Sequence, residues 1–263
     1  MPNRTTDVVK KGWSYVLQVM EQPTQVPFVL YSMMRNDAHL GELLKLQRFG
    51  RWLHSNGVKT VLDIGANTGQ FTCAITSVLP DAEVYSFEPI ADAYEKLRRK
   101  VEGRRQCHAF HCALGEASGR LQFWRNNFTK SSSLLPMTQL HKEAFPWTRE
   151  STAIMVQVET LDNFAERISL LPSVLMKIDV QGYELSVLKG AVRTLQSIDY
   201  IWVETSFKPL YEGQASFRDV YDFLGPYGFV YAGSPEQLIS PLDGCILQED
   251  VLFVRHPRPG REF

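Results

Sequence analysis

Apolar positions along the chain change period at Val58. Before it, Val9, Trp13, Val16, Leu17 and Met20 recur at helical spacing, which predicts an amphipathic helix over 7–20. Pro23 and Pro27 stop it. A second helix is predicted from about Ala38 to His54, with Leu40, Leu43, Leu46 and Leu53 inward and Gly57 just past its end. From Val58 onward, short apolar runs alternate with helical stripes. Thr60–Ile64, Glu83–Phe87 and Cys107–Leu114 read as strands, and Thr68–Leu79 and Ile90–Val101 as the helices between them. Strand, helix, strand, helix, strand is the signature of a parallel sheet with right-handed crossovers.

The alternation pauses between Gly115 and Pro172. Leu121–Trp124 and Ile154–Val158 read as two additional strands, and the turn-rich stretch Asn126–Pro146 between them is long enough to suggest a functional loop. The pattern then resumes with a strand at Val174–Ile178, a helix at Glu184–Gln196 and a strand at Tyr200–Val203. Ser216 and Asp219 form a capping box for a helix over Phe217–Leu224. Gly228–Ala232 and Val251–Arg255, with no helix between them, suit an edge hairpin. The expected organisation is a helical N-terminal extension over 1–57, an α/β domain over 58–255 with an insertion at about 116–158, and a tail over 256–263.

Composition changes this picture little. The 263 residues are 44% hydrophobic and 22% charged, ordinary for a globular chain, and a formal charge of −1 gives no whole-protein argument for nucleic acid. Residues 1–59 carry eight Lys/Arg against four Asp/Glu, leaving 20 and 25 for the rest, so a weak peripheral contact with an anionic surface stays open. Four cysteines in a chain this long do not make a disulfide framework; with no signal peptide and no long apolar run, the cytoplasm is the expected compartment. Nothing in the pattern specifies an oligomeric state.

The chemistry concentrates at strand ends. Asp63-Ile-Gly65-Ala-Asn67-Thr-Gly69 turns a strand tightly into a helix, and its glycines let a ligand approach the backbone. A dinucleotide site wants Gly-x-Gly-x-x-Gly, yet Asn67 and Gln70 stand where the second and third glycines belong. The turn therefore suits a nucleoside ligand without phosphates, whose cationic end would be matched by Asp63. Glu88, 23 residues beyond Gly65, is placed to accept hydrogen bonds from ribose hydroxyls.

Together these residues resemble the class I S-adenosylmethionine-dependent methyltransferases. Met176-Lys-Ile-Asp179-Val-Gln-Gly182-Tyr-Glu184-Leu-Ser-Val-Leu-Lys-Gly190 resembles the signature of the FkbM methyltransferase family, and Ala113-Leu-Gly115, Ser131-Ser-Ser-Leu134, Thr160-Leu-Asp162 and Val251-Leu-Phe253 follow that family's order. The resemblance covers about residues 58–255. It implies a Rossmann-like, seven-stranded, mostly parallel sheet with an antiparallel last strand, S-adenosylmethionine as cofactor, and methyl transfer, commonly to a hydroxyl of a small molecule, glycan or natural product. Cofactor contacts are expected from Asp63, Gly65, Asn67, Gly69, Phe71, Glu88, Ala113 and Asp179, and a catalytic base from Asp179, Glu204 or Glu184. Ser131, Ser132 and His111 are candidate acceptor contacts. The Cys107-His108 and His111-Cys112 pairs do not suggest zinc, because strand alternation points their side chains to opposite faces. A divalent ion near Asp179 stays open. Two other readings also stay open: a nicotinamide-dependent oxidoreductase on a similar sheet, and a non-catalytic binding module. Nitrogen as the acceptor atom is a variant of the first reading.

Overall fold

In a computed structural model, residues 40–256 are described. The helix predicted over 7–20 lies outside them, as does the tail from 257 onward. The elements run α1 (Leu40–Ser55), β1 (Thr60–Ile64), α2 (Gln70–Val78), β2 (Glu83–Phe87), α3 (Ala91–Val101), β3 (Cys107–Phe110), β4 (Ala113–Leu114) and β5 (Gly119–Asn126). They continue with α4 (Gln139–Ala144), β6 (Ser151–Glu159), α5 (Leu161–Ala165), β7 (Val174–Ile178), α6 (Glu184–Lys189), β8 (Tyr200–Ser206), α7 (Phe217–Leu224), β9 (Phe229–Ile239) and β10 (Ile246–Arg255).

Seven strands form one sheet in the order β3-β2-β1-β7-β8-β10-β9, parallel except for β10, which runs antiparallel to both neighbours. This is the expected α/β architecture. The central strand β1 is buried at every position, as its uninterrupted apolar run requires when helices cover both faces. One core layer gathers Leu62, Ile64, Met176, Ile178 and Val203 against α5, α6 and α7; the other gathers Val61, Ile75, Leu97 and Leu175. Buried Leu46 and Leu53 dock α1 into the second layer, where Phe49 and Trp52 meet Trp202 and Tyr200 edge-on.

Two elements differ from the pattern. The run Cys107–Leu114 is not one strand: β3 ends at Phe110 and β4 joins a second, three-stranded sheet with β6 and β5. The ladder stops after the Glu88 N–H donates to the Phe110 carbonyl, because the next donor on that side, the Ile90 N–H, is taken by the Glu88 carboxylate at 2.7 Å. The helix expected over Glu184–Gln196 ends at Lys189, and a short 3₁₀ turn follows at Thr194–Ser197. Asp162 is the cause: its carboxylate accepts the N–H groups of Arg193 and Thr194 at 3.0 and 2.7 Å and starts a new turn. The capping box at Ser216 and Asp219 is formed as read.

At the break, Gly190 lies against the backbone of Gly115, so that an added Cβ would sit 2.0 Å from the Gly115 carbonyl oxygen. Gly190→Ala is therefore expected to lower stability by about 1–3 kcal/mol, measured as a reduced urea midpoint with an unchanged slope.

Candidate functional site

A cavity of about 430 Å³ opens at the carboxyl ends of β1, β2, β7 and β8. It falls in the size range of sites for small organic ligands, about 300–1,000 Å³. Its floor is the turn after β1. Gly65 and Gly69 take left-handed φ values of 85° and 80°, and Asn67 does so at 49°. The Gly65 and Ala66 N–H groups donate to the Phe87 carbonyl, and Gly69 donates to the Ala66 carbonyl. The Asn67 N–H donates to Glu88 Oε2 at 2.9 Å, and the Thr68 N–H to Asn67 Oδ1. Every backbone donor from 65 to 69 is thus committed within the protein. A pyrophosphate would need those donors free, so the turn is not a dinucleotide cradle.

Glu88 ends β2 and is 3% exposed. Its two oxygens accept from the N–H groups of Asn67 and Ile90, and the residue lines the cavity. Burial raises its carboxyl to about 7, against those two hydrogen bonds. Ribose hydroxyls are neutral donors and would satisfy this carboxylate where an anion would be repelled. Gly65, Asn67, Phe71 and Ala113 line the same cavity. These residues fit a nucleoside.

At the other end, Asp179 closes β7 and its side chain keeps 38% of its surface open. Burial opposes its ionisation, but Lys177 Nζ at 3.2 Å and the Gln181 amide at 2.9 Å outweigh burial and hold its carboxyl below the ordinary range. Glu204, in β8, accepts from Gln181 Nε2 at 2.7 Å and Gln248 Nε2 at 3.0 Å. Burial, then the charges of Asp179, Asp250 and Glu184, push it well above the usual value. Two carboxylates with opposed shifts in one cavity are an acid–base constellation.

The insertion forms the roof. Thr129 exchanges hydrogen bonds with the Asn67 amide at 3.1 and 3.2 Å, and Ser133 Oγ donates to the Gln181 carbonyl at 2.6 Å. A single short strap therefore touches both turns that floor the cavity. Ser131 and Ser132 line it, and Ser132 Oγ accepts the Asn126 N–H. Phe128 and Trp147, 48% and 64% exposed, stand at the mouth.

Four residues named from the sequence are placed elsewhere. Asp63 is fully buried beneath the turn, accepting from Thr72 Oγ1 at 2.7 Å with Lys177 Nζ at 3.7 Å, so its charge is balanced before any ligand arrives. Gly69 makes room for Leu97 of α3 and does not line the cavity. Glu184 is 3% exposed and caps the turn after β7, accepting the Gly182 and Val180 N–H groups at 2.9 and 3.3 Å. His111 stacks on Tyr94 and lines a separate groove with His108 and Arg167. Lys177, Gln181, Gln248 and Tyr211 were not singled out. Lys177 and Gln181 stand within the quoted signature, where period-two alternation places Lys177 and Asp179 on one side of β7.

The methyltransferase FkbM domain family matches residues 63–231. The 2-O-methyltransferase NoeI of Sinorhizobium fredii is 28% identical over 176 residues, covering 65% of this chain and 72% of that protein. The hexuronic acid methyltransferase AglP of Haloferax volcanii is 26% identical over 144 residues, 54% of each chain. Among solved structures, magnesium protoporphyrin IX methyltransferase from Synechocystis PCC 6803 aligns with a TM-score of 0.43 and 12% identity, over 82% of this chain and 81% of that one.

Glu88 and Glu184 bind protons up to about 7 when folded and to about 4.5 when unfolded, and Glu204 is shifted the same way. The folded state thus holds more protons, so these groups make stability fall as pH rises. Among the described residues, His141, lowered to about 4, acts oppositely in this window. Three carboxyls outweigh one imidazole. Thermal scans of ligand-free protein should show a melting temperature that falls from pH 5.5 to 8, with a shallower slope in Glu88→Gln; a rising melting temperature would contradict this assignment.

Proposed function

The chain belongs to the FkbM methyltransferase family and is an S-adenosylmethionine-dependent enzyme, and on that premise we propose that it methylates a hydroxyl oxygen of a sugar unit or a similarly hydroxylated natural product. The observation that carries the reading is the pairing, in one cavity, of the buried Glu88 carboxyl with the ionised, 38% exposed Asp179 carboxylate. The names of the two relatives, one a 2-O-methyltransferase and one a hexuronic acid methyltransferase, point the same way.

The cofactor supplies a methyl group on a positively charged sulfur. Glu88 holds the ribose diol, while Gly65, Asn67, Phe71 and Ala113 shape the wall around the nucleoside. The protein's main task is then to orient an acceptor in line with the methyl carbon, since alignment alone contributes much of the rate. Asp179 accepts the proton that a hydroxyl loses as its oxygen gains the methyl. Lys177 keeps Asp179 ionised for that task. Glu204 is the weaker candidate, because its surroundings favour the protonated form. Phe128 and Trp147 present aromatic faces at the mouth, where a sugar ring can stack. Among the described residues, no helix is long and apolar enough to cross a membrane. Residues 1–57 are assigned to an accessory extension, of which α1 docks on the cofactor domain.

Cell extract incubated with enzyme and methyl-labelled S-adenosylmethionine should yield a labelled product whose methyl survives mild base, as an ether does and an ester does not. Asp179→Asn should lower its formation by about 10²–10⁴-fold with cofactor affinity retained. Glu88→Ala should instead weaken cofactor binding in calorimetry. An enzyme that binds no S-adenosylmethionine, or a labelled nitrogen, would overturn the reading.

A further inference from the structure

Gln181 takes a left-handed φ of 57°, a strained conformation for a residue with a side chain. The adjoining contacts hold it there. Its carbonyl accepts from Ser133 Oγ at 2.6 Å, and the next residue, Gly182, packs so tightly on Tyr211 that an added Cβ would meet that ring at 3.1 Å. The strain aims the side chain. Nε2 donates to Asp179 Oδ1 at 2.9 Å and to Glu204 Oε2 at 2.7 Å, and Oε1 accepts from the Tyr211 hydroxyl at 2.9 Å. The amide has one chemically sensible orientation, because turning it over would set a carbonyl oxygen against two carboxyl groups.

We infer that Gln181 is a positioning residue that ties Asp179 and Glu204 into one electrostatically coupled pair, with Tyr211 fixing the amide that joins them. An amide NH₂ has two hydrogens, so it serves both carboxyl groups at once without carrying charge itself. The surroundings then decide which member holds the negative charge. Lys177 and, from the roof, Lys130 act on Asp179; Asp250 of β10 and Glu184 of α6 act on Glu204, with Gln248 as its second donor. The charge settles on Asp179, and Glu204, which lines the same cavity, keeps its proton to higher pH. When Asp179 takes a proton from an acceptor hydroxyl, Glu204 across the amide holds its own proton less firmly, since the neighbouring negative charge is gone. The assignment rests on the methyl-transfer reading for its catalytic consequence only; the bridge is a property of the protein without substrate.

The test is a ¹³C carboxyl titration of the full chain, resolving Asp179, Glu204 and Glu88, in wild type, Gln181→Met and Tyr211→Phe. Losing a donor to a charged group raises a carboxyl midpoint by about one pH unit or more. In Gln181→Met the Asp179 and Glu204 midpoints should both rise by that amount while Glu88 stays in place. In Tyr211→Phe they should rise less, in the same direction. Should the methionine variant fail to fold, the phenylalanine variant decides alone. Unchanged Asp179 and Glu204 midpoints in a folded variant would overturn the bridge, and so would an equal shift of Glu88, which would mark a general disturbance of the cavity. Failure of the methyltransferase reading shows separately, as absence of S-adenosylmethionine binding to wild type.

Discussion

The site depends on one close approach. Gly65, at the end of β1, passes so near the neighbouring β7 end that a Cβ there would lie 1.9 Å from the Asp179 carbonyl oxygen. Only glycine permits that contact at a φ of 85°. Because β1 and β7 pair in register from Thr60–Val174 to Ile64–Ile178, the two turns leave the sheet side by side. The cavity floor is consequently backbone, and the side chains that carry chemistry are set around it: Glu88 from β2, Asp179 and Gln181 from β7, Glu204 from β8. The strap from Thr129 to Ser133 bonds to both turns, which makes the roof a consequence of the same juxtaposition.

The electrostatics follow from burial. Carboxyl groups kept out of water without a matching cation hold their protons to higher pH, as Glu88 and Glu204 do; one with a lysine beside it does not, as Asp179 shows. Lys177 is the only lysine lining the cavity floor among the described residues, and it lies between Asp63 and Asp179. One buried cation thus serves two strand ends. The arrangement stores destabilisation at Glu88 that a ligand with hydroxyl donors relieves.

Much of this could be read from the chain. The strands betray themselves because parallel strands buried on both faces need continuous apolar runs, and Gly65, Asn67, Glu88 and Asp179 stand where sheet topology puts ligands. Asp63 was misplaced because a carboxylate two residues before a glycine turn looks the same whether it faces in or out; Thr72 and Lys177 decided that it faces in. Glu184 and Asp162 lie within or beside family motifs, yet each caps a turn, and such hydrogen bonds leave no periodic trace. The Cys107–Leu114 break was hidden because its cause, the loss of the Ile90 donor to the Glu88 carboxylate, lies beyond the neighbouring strand. The bridge through Gln181 needs a left-handed residue and a distant tyrosine, neither of which spacing reveals.

The central claim is that Glu88 is held in an unfavourable, buried state that the nucleoside of S-adenosylmethionine relieves. The most direct measurement is the titration midpoint of the Glu88 carboxyl, followed by ¹³C resonance with and without the cofactor. It should lie near 7 in the free protein and fall well below that on binding. A midpoint in the ordinary carboxylate range before binding, or one that does not move when the cofactor binds, would contradict the account.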